Sequence, residues 1–252
     1  MSASPVPPAP PNRPSACLSV LTPAYNEAPT ISELVTAVLA QPLVQELIVV
    51  DDGSTDDTWQ RLEFAARDEP RLKLFRHSKN QGKGAALRTA LAKATASFVV
   101  VQDADLEYDP AEYPMLVRPI LEGRADVVFG SRFQGVGPHR VLYFWHYAGN
   151  RFLTTLSNMC TNLNLTDMEA GPKAFRREIL QSVRIEEDRF GFEPEIVAKM
   201  SRIKGLRIYE APVSYYGRTY AEGKKANWRD GLSALRCVLK YNLLRRHARS
   251  KS

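Results

Sequence analysis

The most informative stretch of this 252-residue chain is SFVVVQDADLE, residues 97–107. Its apolar, β-branched run is typical of a buried strand, and the polar residues after it mark the strand's carboxyl end. In an extended turn Asp103, Asp105 and Glu107 point the same way, because side chains alternate. Neighbouring carboxylates repel one another unless a cation lies among them, and their hard oxygens suit Mg²⁺ or Mn²⁺. The stretch therefore predicts a metal site of these three residues, with an acidic turn that caps the next helix as the alternative.

Similar strands alternate with helices on both sides of this stretch. Strands are predicted at 17–22, 46–50, 72–76, 97–101 and 125–130, with a last strand pair at 206–212 and 213–216. Helices are predicted at 29–39, 55–67, 83–93 and 109–123. Because strands joined through helices cross over with one hand, this order predicts an α/β fold with a mostly parallel, Rossmann-like central sheet and helices on both faces.

Charge and proline content divide the chain into three regions. Residues 1–16 hold six of the 17 prolines and lack the apolar core of a signal peptide, so we expect a disordered leader. Residues 17–217 form the predicted α/β domain. Residues 218–252 hold ten lysine and arginine residues and two acidic ones, a net charge of +8. This basic end predicts contact with phosphate groups.

Several classes of protein are excluded by what the sequence lacks. The three cysteines lie far apart without a CxxC pair, which argues against disulfides or a cysteine zinc site and favours a reducing cytoplasm. No stretch approaches 18 apolar residues, so no transmembrane helix is expected. P-loop, GxGxxG, GxSxG and HExxH motifs are absent. Despite a pI of about 9.2, no nucleic-acid-binding motif is present, so no nucleic-acid partner is expected.

Two further helical segments are predicted in the second half of the chain. Residues 142–163 can form one or two helices, and residues 228–244 form an amphipathic helix with basic flanks. The apolar stripe of the second helix consists of Trp228, Leu232, Leu235, Leu239 and Leu243. We expect this stripe to pack on the core, and the alternative is that it lies in a membrane interface.

Four motifs fall in order at the predicted strand ends and turns. They are Pro-x-Tyr-Asn-Glu at 23–27, Val-Val-Asp-Asp-Gly-Ser-Thr-Asp at 49–56, Asn-Gln-Gly-Lys-Gly at 80–84, and Asp-x-Asp at 103–105. Together they resemble the nucleotide-sugar subdomain of the family-2 glycosyltransferases, which have the GT-A fold. The resemblance covers roughly residues 17–217.

Two more segments narrow the resemblance. Gln-Asp-Ala-Asp-Leu-Glu at 102–107, followed by Gly-Ser-Arg-Phe at 130–133, is similar to the polyprenyl-phosphate hexose synthases of the dolichyl-phosphate mannose synthase type. Residues 166–176 are similar to the block that follows their catalytic region, although Ala170 and Pro172 depart from it. The resemblance implies transfer of a hexose, with mannose from GDP-mannose favoured over glucose from UDP-glucose, to a polyprenyl phosphate such as dolichyl or undecaprenyl phosphate, with inversion.

The resemblance also implies roles for individual residues. Asp103, Asp105 and Arg132 are the expected catalytic residues, and Asp103, Asp105 and Glu107 would hold the metal on the diphosphate. The expected nucleotide-sugar contacts are Pro23, Tyr25, Glu27, Asp51, Asp52, Gln102, Asp103, Arg218 and Lys224. The last two belong to a segment that resembles the family's mobile basic loop, which could close over the diphosphate.

A phosphate that accepts the hexose needs a positively charged side chain to position it more than it needs a base. A lipid phosphate is already ionised near neutral pH, and a guanidinium matches phosphate in a bidentate fork. Arg132 is the first candidate for this contact and Arg151 the second. A polyprenyl chain stays in lipid, so we expect peripheral attachment at the cytoplasmic membrane face. The open alternative is a soluble or polysaccharide acceptor, which would need a carboxylate base such as Glu169 or Asp167.

Overall fold

The computed structural model describes residues 16–135, 141, 143–218 and 228–244, with side chains in the last segment from 231 to 243. Within these residues, seven strands form one sheet in the order β3-β2-β1-β4-β6-β5-β7. They are β1 (Leu18–Ala24), β2 (Val44–Asp51), β3 (Leu72–Arg76), β4 (Phe98–Val101), β5 (Val127–Ser131), β6 (Lys173–Arg176) and β7 (Ile208–Pro212). Of these described strands, only β6 runs antiparallel to its neighbours, β4 and β5. The mostly parallel α/β sheet predicted from the sequence is confirmed.

Helices cover both faces of this sheet. The described helices are α1 (Ile31–Leu39), α2 (Thr58–Ala65), α3 (Lys83–Lys93), α4 (Tyr113–Leu121), α5 (Phe144–Thr161), α6 (Arg177–Ser182), α7 (Phe192–Met200) and α8 (Trp228–Leu239). A 3₁₀ turn, Pro110–Glu112, leads into α4, and a π-helical turn, Lys240–Leu244, continues α8. The strand at 72–76 and the helix at 83–93 have the predicted bounds, and the other predicted elements before residue 131 differ by a few residues.

The sheet separates two apolar cores. One core packs α1 and α4 on β-strand residues such as Val20, Val49 and Val128. The other packs α3 and α7 on residues of the opposite face, such as Leu21 and Val101. Because both faces are covered, the strands are apolar on both sides, which is why they appear in the sequence as continuous rather than alternating runs.

One edge of the sheet collects the ends of most strands. The carboxyl ends of β1, β2, β4, β5 and β7 lie there, and the amino end of the antiparallel β6 joins them. Residues that follow Ala24, Asp51, Val101 and Ser131 are therefore neighbours, although they lie far apart in the sequence. Open α/β sheets bind ligands at this edge, and we therefore call it the ligand-binding edge.

Part of the second half differs from the prediction. Residues 213–216 do not form the expected strand: the amides of Val213, Ser214 and Tyr216 donate instead to Ser131, Glu112 and Glu107. Strand β6 and helix α7 were not predicted, because four residues are too few for a clear period and α7 is buried nearly all round. Residues 136–140, 142 and 219–227 lie outside the described residues, as do nearly all of the predicted leader and residues 245–252 of the basic end.

Helix α8 forms where it was predicted, but it packs with another face. Ala234, Cys237 and Val238 are buried against the body of the protein, whereas Leu232 of the predicted stripe is 55% exposed. Leu239 and Leu243 are exposed as well. The expectation that this stripe packs on the core is therefore wrong for these three leucines. Within the part of the chain that the structure describes, no helix is long and apolar enough to span a membrane.

Candidate active site

Asp103 is held at the ligand-binding edge by a largely buried lysine that is 13% exposed. Lys83, the first residue of α3, lies 2.7 Å from Asp103 Oδ1 and 2.8 Å from Glu193 Oε1 at the start of α7. Burial opposes the charge on Lys83, but the two carboxylates outweigh it and keep the pKa of the ammonium group above its usual value. The other oxygen of Asp103 faces Gly171, where a Cβ atom would lie 2.2 Å away. The carboxylate of Asp103 is thus fixed from two sides.

Asp105 lies in the same turn, surrounded by acidic groups. Burial and, after it, the nearby charges of Asp103, Glu107 and Glu27 together raise its pKa to about 7. The amide of Glu107 donates to Asp105 Oδ1 at 3.2 Å. Among the residues that the structure describes, none forms an ion pair with Asp105. The nearby carboxylates of Asp103 and Glu27 pair with Lys83 and Arg218 instead.

Arg218 closes one side of this acidic group. Its guanidinium lies 2.9 Å from Glu27 Oε2 and donates to the carbonyl oxygen of Asp105. Its amide donates to Glu107 Oε1 at 2.7 Å. Arg218, the first residue of the predicted basic loop, therefore contacts Glu27, Asp105 and Glu107. We call these acids, together with Asp103, the acidic edge. The position of Arg218 there agrees with its predicted contact with the nucleotide sugar. Lys224, predicted for the same role, lies outside the described residues.

The acidic edge suits a divalent cation in its chemistry, although it is not a finished metal site. Asp103 and Asp105 supply the hard oxygens that Mg²⁺ and Mn²⁺ prefer, and the raised pKa of Asp105 reflects a negative charge that a cation would relieve. No group of three or more acidic, histidine or cysteine side chains is arranged to hold a metal among the described residues. The residues therefore fit a cation that other ligands, such as a diphosphate, help to hold.

The two aspartates at the end of β2 are buried and already engaged by the protein. Asp52 accepts from the amides of Gln81 and Gly82 and lies 2.6 Å from His77 Nδ1, so it anchors the turn that leads into α3. Asp51 accepts from the amide of Ser54 and lies 2.9 Å from Arg76 Nε. Their predicted contact with the nucleotide stays a prediction.

Three other residues predicted to bind the nucleotide sugar differ in their exposure. Pro23 is the second-to-last residue of β1, and Tyr25, the first residue after this strand, is exposed. Gln102 is buried, where its side chain donates to the carbonyls of Asp103 and Tyr108 and accepts from the Tyr113 hydroxyl. Gln102 thus shapes the acidic turn from inside.

Arg132 lies at the end of β5, where a buried aspartate holds it. Its Nε and Nη2 donate to the two oxygens of Asp167 at 2.6 and 2.8 Å, in a bidentate pair. Asn150 of α5 donates to the same carboxylate. Burial opposes the charge on Asp167, but these donors outweigh it and lower its pKa. Arg132 is 14% exposed, and its Nη1 group is not part of this pair.

Aromatic rings connect Arg132 to an exposed surface on α5. The guanidinium lies over the rings of Phe133 and Tyr215, at 5.7 and 5.2 Å from their centres. Phe133 in turn contacts the edge of Tyr147 on α5, with ring centres 5.3 Å apart. The other exposed apolar residues on and before this helix are Val141, Tyr143, Phe144, Trp145, Phe152 and Met159. We call this set, with Tyr147, the α5 apolar surface. Arg151 is exposed on the same helix.

A comparison with protein families matches this arrangement. Residues 19–184 match the family described as glycosyl transferase family 2. The chain belongs to this family. The match spans the Asp103–Glu107 turn and ends after the Asp167 segment, so it includes the acidic turn and the Arg132–Asp167 pair, whereas Glu193 and Arg218 lie beyond it. The GT-A fold implied by the resemblance is confirmed by the sheet and by the solved structures that follow.

Two curated relatives of this family 2 glycosyltransferase have related names. The chain is 28% identical over 211 residues to a dolichol-phosphate mannosyltransferase of Pyrococcus furiosus, covering 82% of this chain and 58% of that protein. It is also 28% identical over 200 residues to the glycosyltransferase AglJ of Haloferax volcanii, covering 79% of this chain and 63% of the relative. The chain thus spans about three fifths of the length of these two relatives.

A solved structure is similar over most of both chains. It is glucosyl-3-phosphoglycerate synthase of Mycobacterium tuberculosis in complex with phosphoglyceric acid, with 25% identity and a TM-score of 0.67. The match covers 90% of this chain and 80% of that one. The same enzyme has also been crystallised with UDP and with Mn²⁺, UDP and phosphoglyceric acid.

The family 2 site also contains residues to which the sequence assigned no role. Lys83 stands in a motif that marks the family, but a lysine in a glycine-rich turn does not by itself reveal its two carboxylate partners. Glu193 lies in the first turn of α7, a helix that was not predicted. Lys173 is fully buried at the start of β6, and burial, together with the charge of Lys83, lowers its pKa. The antiparallel insertion of β6 brings these groups to the edge.

Proposed function

We propose that this family 2 glycosyltransferase moves a hexose from a nucleoside diphosphate sugar to the phosphate of a polyprenyl phosphate at a membrane surface. The observation that carries the proposal is the path from Arg132 through Phe133 and Tyr147 to the α5 apolar surface. An arginine that suits a phosphate lies at one end of this path, and exposed aromatic residues that suit lipid lie at the other. A phosphate with a long apolar tail matches both ends.

The donor would lie across the acidic edge. Its sugar and diphosphate would meet Asp103 and Asp105, and its base and ribose would lie toward Tyr25, near the ends of β1 and β2. Arg218, which already contacts Glu27, would cover the diphosphate as the first residue of a basic loop at 218–227. We propose that residues 17–217 form the catalytic domain and that 218–252 serve closure and membrane attachment.

Asp105, with Asp103 and Glu107 beside it, would hold a divalent cation. When bound, Mg²⁺ or Mn²⁺ would neutralise the diphosphate and make it a better leaving group. Lys83 keeps Asp103 in place, so that one carboxylate of the Asp-x-Asp pair is fixed before the donor arrives. The raised pKa of Asp105 supports this role, because the surrounding acids disfavour a charge that a cation would stabilise.

The transfer itself needs no protein base. An oxygen of the lipid phosphate attacks the anomeric carbon, and the bond from that carbon to the diphosphate breaks with its electron pair passing to the leaving nucleoside diphosphate. The configuration inverts because attack and departure occur on opposite faces. Arg132, held in place by Asp167, would position the attacking phosphate. No proton is moved, since a phosphate monoester is already ionised near neutral pH.

The membrane surface is the proposed place of the reaction, on the cytoplasmic side. Trp145 is 80% exposed, and interfacial tryptophan and tyrosine side chains are typical of helices that lie at the headgroup level. Exposed leucines on α8, a helix that contacts α5, add to the apolar area. Each basic residue near anionic lipid contributes about 1 kcal/mol, so the +8 segment would support peripheral attachment.

A soluble phosphorylated acceptor is the second candidate. The solved relative carries phosphoglyceric acid, and a small phosphate compound would meet Arg132 as a lipid phosphate would. A soluble hydroxyl acceptor would need a carboxylate base. Asp167 is unsuited to that role, because Arg132 and Asn150 hold its pKa low. The α5 apolar surface would then have no part in binding the acceptor.

Transfer assays with radiolabelled donors test the proposal. GDP-mannose and UDP-glucose are each incubated with a polyprenyl phosphate in detergent or with 3-phosphoglycerate, in Mn²⁺ or Mg²⁺ and in EDTA. We expect a lipid-linked product that EDTA abolishes and that Asp105→Ala reduces at least a hundredfold. Label that appears only in the soluble acceptor would contradict the lipid acceptor and favour the second candidate.

Matched variants separate the acceptor site from the fold. Arg132→Lys keeps the charge but loses the bidentate fork, so the KM for the lipid should rise about tenfold or more while donor binding stays unchanged. Arg176→Ala is the control, since Arg176 pairs with Asp126 at the opposite edge of the sheet. Replacing Trp145 with serine should weaken binding to anionic vesicles without changing transfer to a short, soluble prenyl phosphate.

A further inference from the structure

Glu169 lies between the two groups of charged residues at the ligand-binding edge. Two residues before it, Asp167 pairs with Arg132. Two residues after it, Gly171 faces the carboxylate of Asp103. The charges that act on Glu169 are those of Glu193, Lys173, Arg132 and Asp167. Along the chain, residue 169 therefore lies between a residue that pairs with the proposed acceptor arginine and one that faces a proposed donor carboxylate.

The carboxyl group of Glu169 lacks the hydrogen bonds that its burial calls for. Its Oε1 atom is buried and has no hydrogen-bond partner among the described residues. Burial and, after it, the charge of Glu193 raise the pKa of Glu169 to about 7. A buried polar atom without a partner is costly, and such atoms are rare in folded proteins unless a ligand or water satisfies them.

Other buried glutamates in this chain are satisfied by the protein. Glu195 accepts from the amides of Glu186 and Glu187 and pairs with Lys199. Glu46 accepts from Ser19 and Thr95 and pairs with Lys73. Glu193 pairs with Lys83. The fold therefore provides partners for these three glutamates. One other buried carboxyl oxygen of the described chain, Asp51 Oδ2, lacks a hydrogen bond, but it lies 2.9 Å from Arg76 Nε, whereas Glu169 Oε1 has no such partner among the described residues.

We propose that Glu169 is the residue that recognises the hexose, through hydrogen bonds from the sugar hydroxyls to its carboxyl group. This inference rests on the proposed function, because in any direct transfer the hexose lies between the leaving diphosphate and the attacking acceptor. Residue 169 lies in the segment that joins the Asp167–Arg132 pair to Gly171, the residue that faces Asp103. Two carboxyl oxygens can serve neighbouring hydroxyls of a pyranose ring, which makes the contact sensitive to the orientation of those hydroxyls.

The chemistry of the side chain defines three informative variants. Glu169→Gln keeps the shape, one acceptor oxygen and an amide donor, so it should preserve part of the contact. Glu169→Ala removes every hydrogen bond to the sugar. Glu46→Gln is the matched control, because it alters a buried glutamate at the far end of the same sheet, with satisfied partners and no proposed ligand contact.

The test compares binding of a nucleotide sugar with binding of the nucleoside diphosphate alone, by titration calorimetry in Mn²⁺. GDP-mannose is compared with GDP and UDP-glucose with UDP, and the pair that the unmodified protein binds more tightly is used. Glu169→Ala should weaken nucleotide-sugar binding about 10- to 100-fold and nucleoside diphosphate binding less than about twofold. Glu169→Gln should show a smaller loss of the same kind, and Glu46→Gln none.

Epimers carried by one nucleotide sharpen the result. GDP-mannose and GDP-glucose differ only at the C2 hydroxyl, and UDP-glucose and UDP-galactose only at the C4 hydroxyl. The unmodified protein should discriminate within at least one pair, and both Glu169 variants should reduce that ratio. Equal losses for nucleotide sugar and nucleoside diphosphate, or an unchanged epimer ratio in both variants, would overturn the assignment.

The inference and the proposed acceptor can fail separately. If the unmodified protein binds the nucleotide sugar but does not transfer to polyprenyl phosphate, the lipid acceptor is wrong, and the ratio measured for the Glu169 variants still decides the hexose contact. If lipid transfer occurs and the Glu169 variants bind nucleotide sugar and nucleoside diphosphate as the unmodified protein does, the hexose contact is wrong and the acceptor stands.

Discussion

Buried carboxyl groups lie at both ends of the central sheet, and the two ends hold them differently. At the amino ends of the strands, burial disfavours the charge of Glu46, but Lys73, Ser19 and Thr95 outweigh it and lower the pKa to about 2. At the carboxyl ends, burial and neighbouring acids raise the pKa of Asp105 to about 7. The pKa of Glu169 is raised to about 7 as well.

This difference distinguishes Glu46, a structural carboxylate, from Asp105 and Glu169, which we propose bind ligands. At the amino end each oxygen of Glu46 has a protein donor, so its charge stabilises the fold. At the carboxyl end the protein gathers acids and leaves part of their charge and hydrogen bonding unmet, which costs stability in the absence of ligand. Perturbed ionisable groups of this kind are typical of functional sites.

The largest effect is expected where one lysine bridges a buried acid, Glu193, and a half-buried one, Asp103. Lys83→Met leaves Asp103 and Glu193 without their partner and should lower the free energy of unfolding by about 3–5 kcal/mol. Lys73→Met at the other end should cost only about 1 kcal/mol, since Lys73 is 39% exposed and Glu46 keeps its other donors. Urea unfolding of both variants measures the difference. Equal costs would mean that the two ends do not differ in this respect.

A smaller effect on stability, with a large one on transfer, is expected at Gly171. In Gly171→Ala the new Cβ lies 2.2 Å from Asp103 Oδ2, and Lys83 prevents the carboxylate from turning away freely. We expect a loss of about 1–3 kcal/mol in stability and a fall of about 100-fold in transfer. Both are measured on the purified variant.

Gly149→Ala provides the control for this substitution. Gly149 lies on the exposed side of α5, and a methyl group added there would have no atom within 4 Å, so alanine should stabilise the helix by about 0.5–1 kcal/mol. A loss of transfer in Gly149→Ala comparable to that in Gly171→Ala would show that the effect at Gly171 does not come from its contact with Asp103.

Glu169→Gln should change how stability depends on pH. The pKa of Glu169 is about 7 in the folded protein against 4.5 for an unperturbed glutamate, so its contribution to stability is full below pH 4.5 and is lost as the pH rises through 7. The glutamine variant lacks this loss. Relative to the unmodified protein, it should gain about 2–3 kcal/mol between pH 4.5 and about pH 8. Urea unfolding at several pH values, without ligand, checks this.

Glu46→Gln should show the opposite pH dependence and a smaller change than Glu169→Gln. The pKa of Glu46 is lowered from 4.5 to about 2, so its contribution is present above pH 4.5 and is lost as the pH falls toward 2. The variant should be less stable than the unmodified protein by about 1–2 kcal/mol at neutral pH, and the difference should vanish near pH 2. A difference that stays constant over this whole pH range would contradict the assignment of a charged role.

Much of the fold could be predicted because local patterns agree with it. The strand at 72–76 and the helix at 83–93 have the predicted bounds, and turn residues separate the other early elements clearly. The prediction of a strand at 213–216 was wrong because the amide of Ser214 donates to the Glu112 carboxylate and the amide of Tyr216 to the Glu107 backbone carbonyl. Both acceptors lie about a hundred residues away in the chain. Helix α8 turns a different face to the protein because α5 and α7 offer it a partner surface that its own period does not reveal.

The fold class and the acidic edge follow from the sequence alone, because buried parallel strands form continuous apolar runs and polar residues follow at their carboxyl ends. Which of those residues pair with other groups of the protein is visible only in the folded structure. It gave Lys83 to Asp103 and Glu193, Asp167 to Arg132, and no partner in the described chain to Glu169 Oε1. The reason is that ion pairs and burial depend on distances between segments far apart in the chain, which spacing along the sequence does not encode.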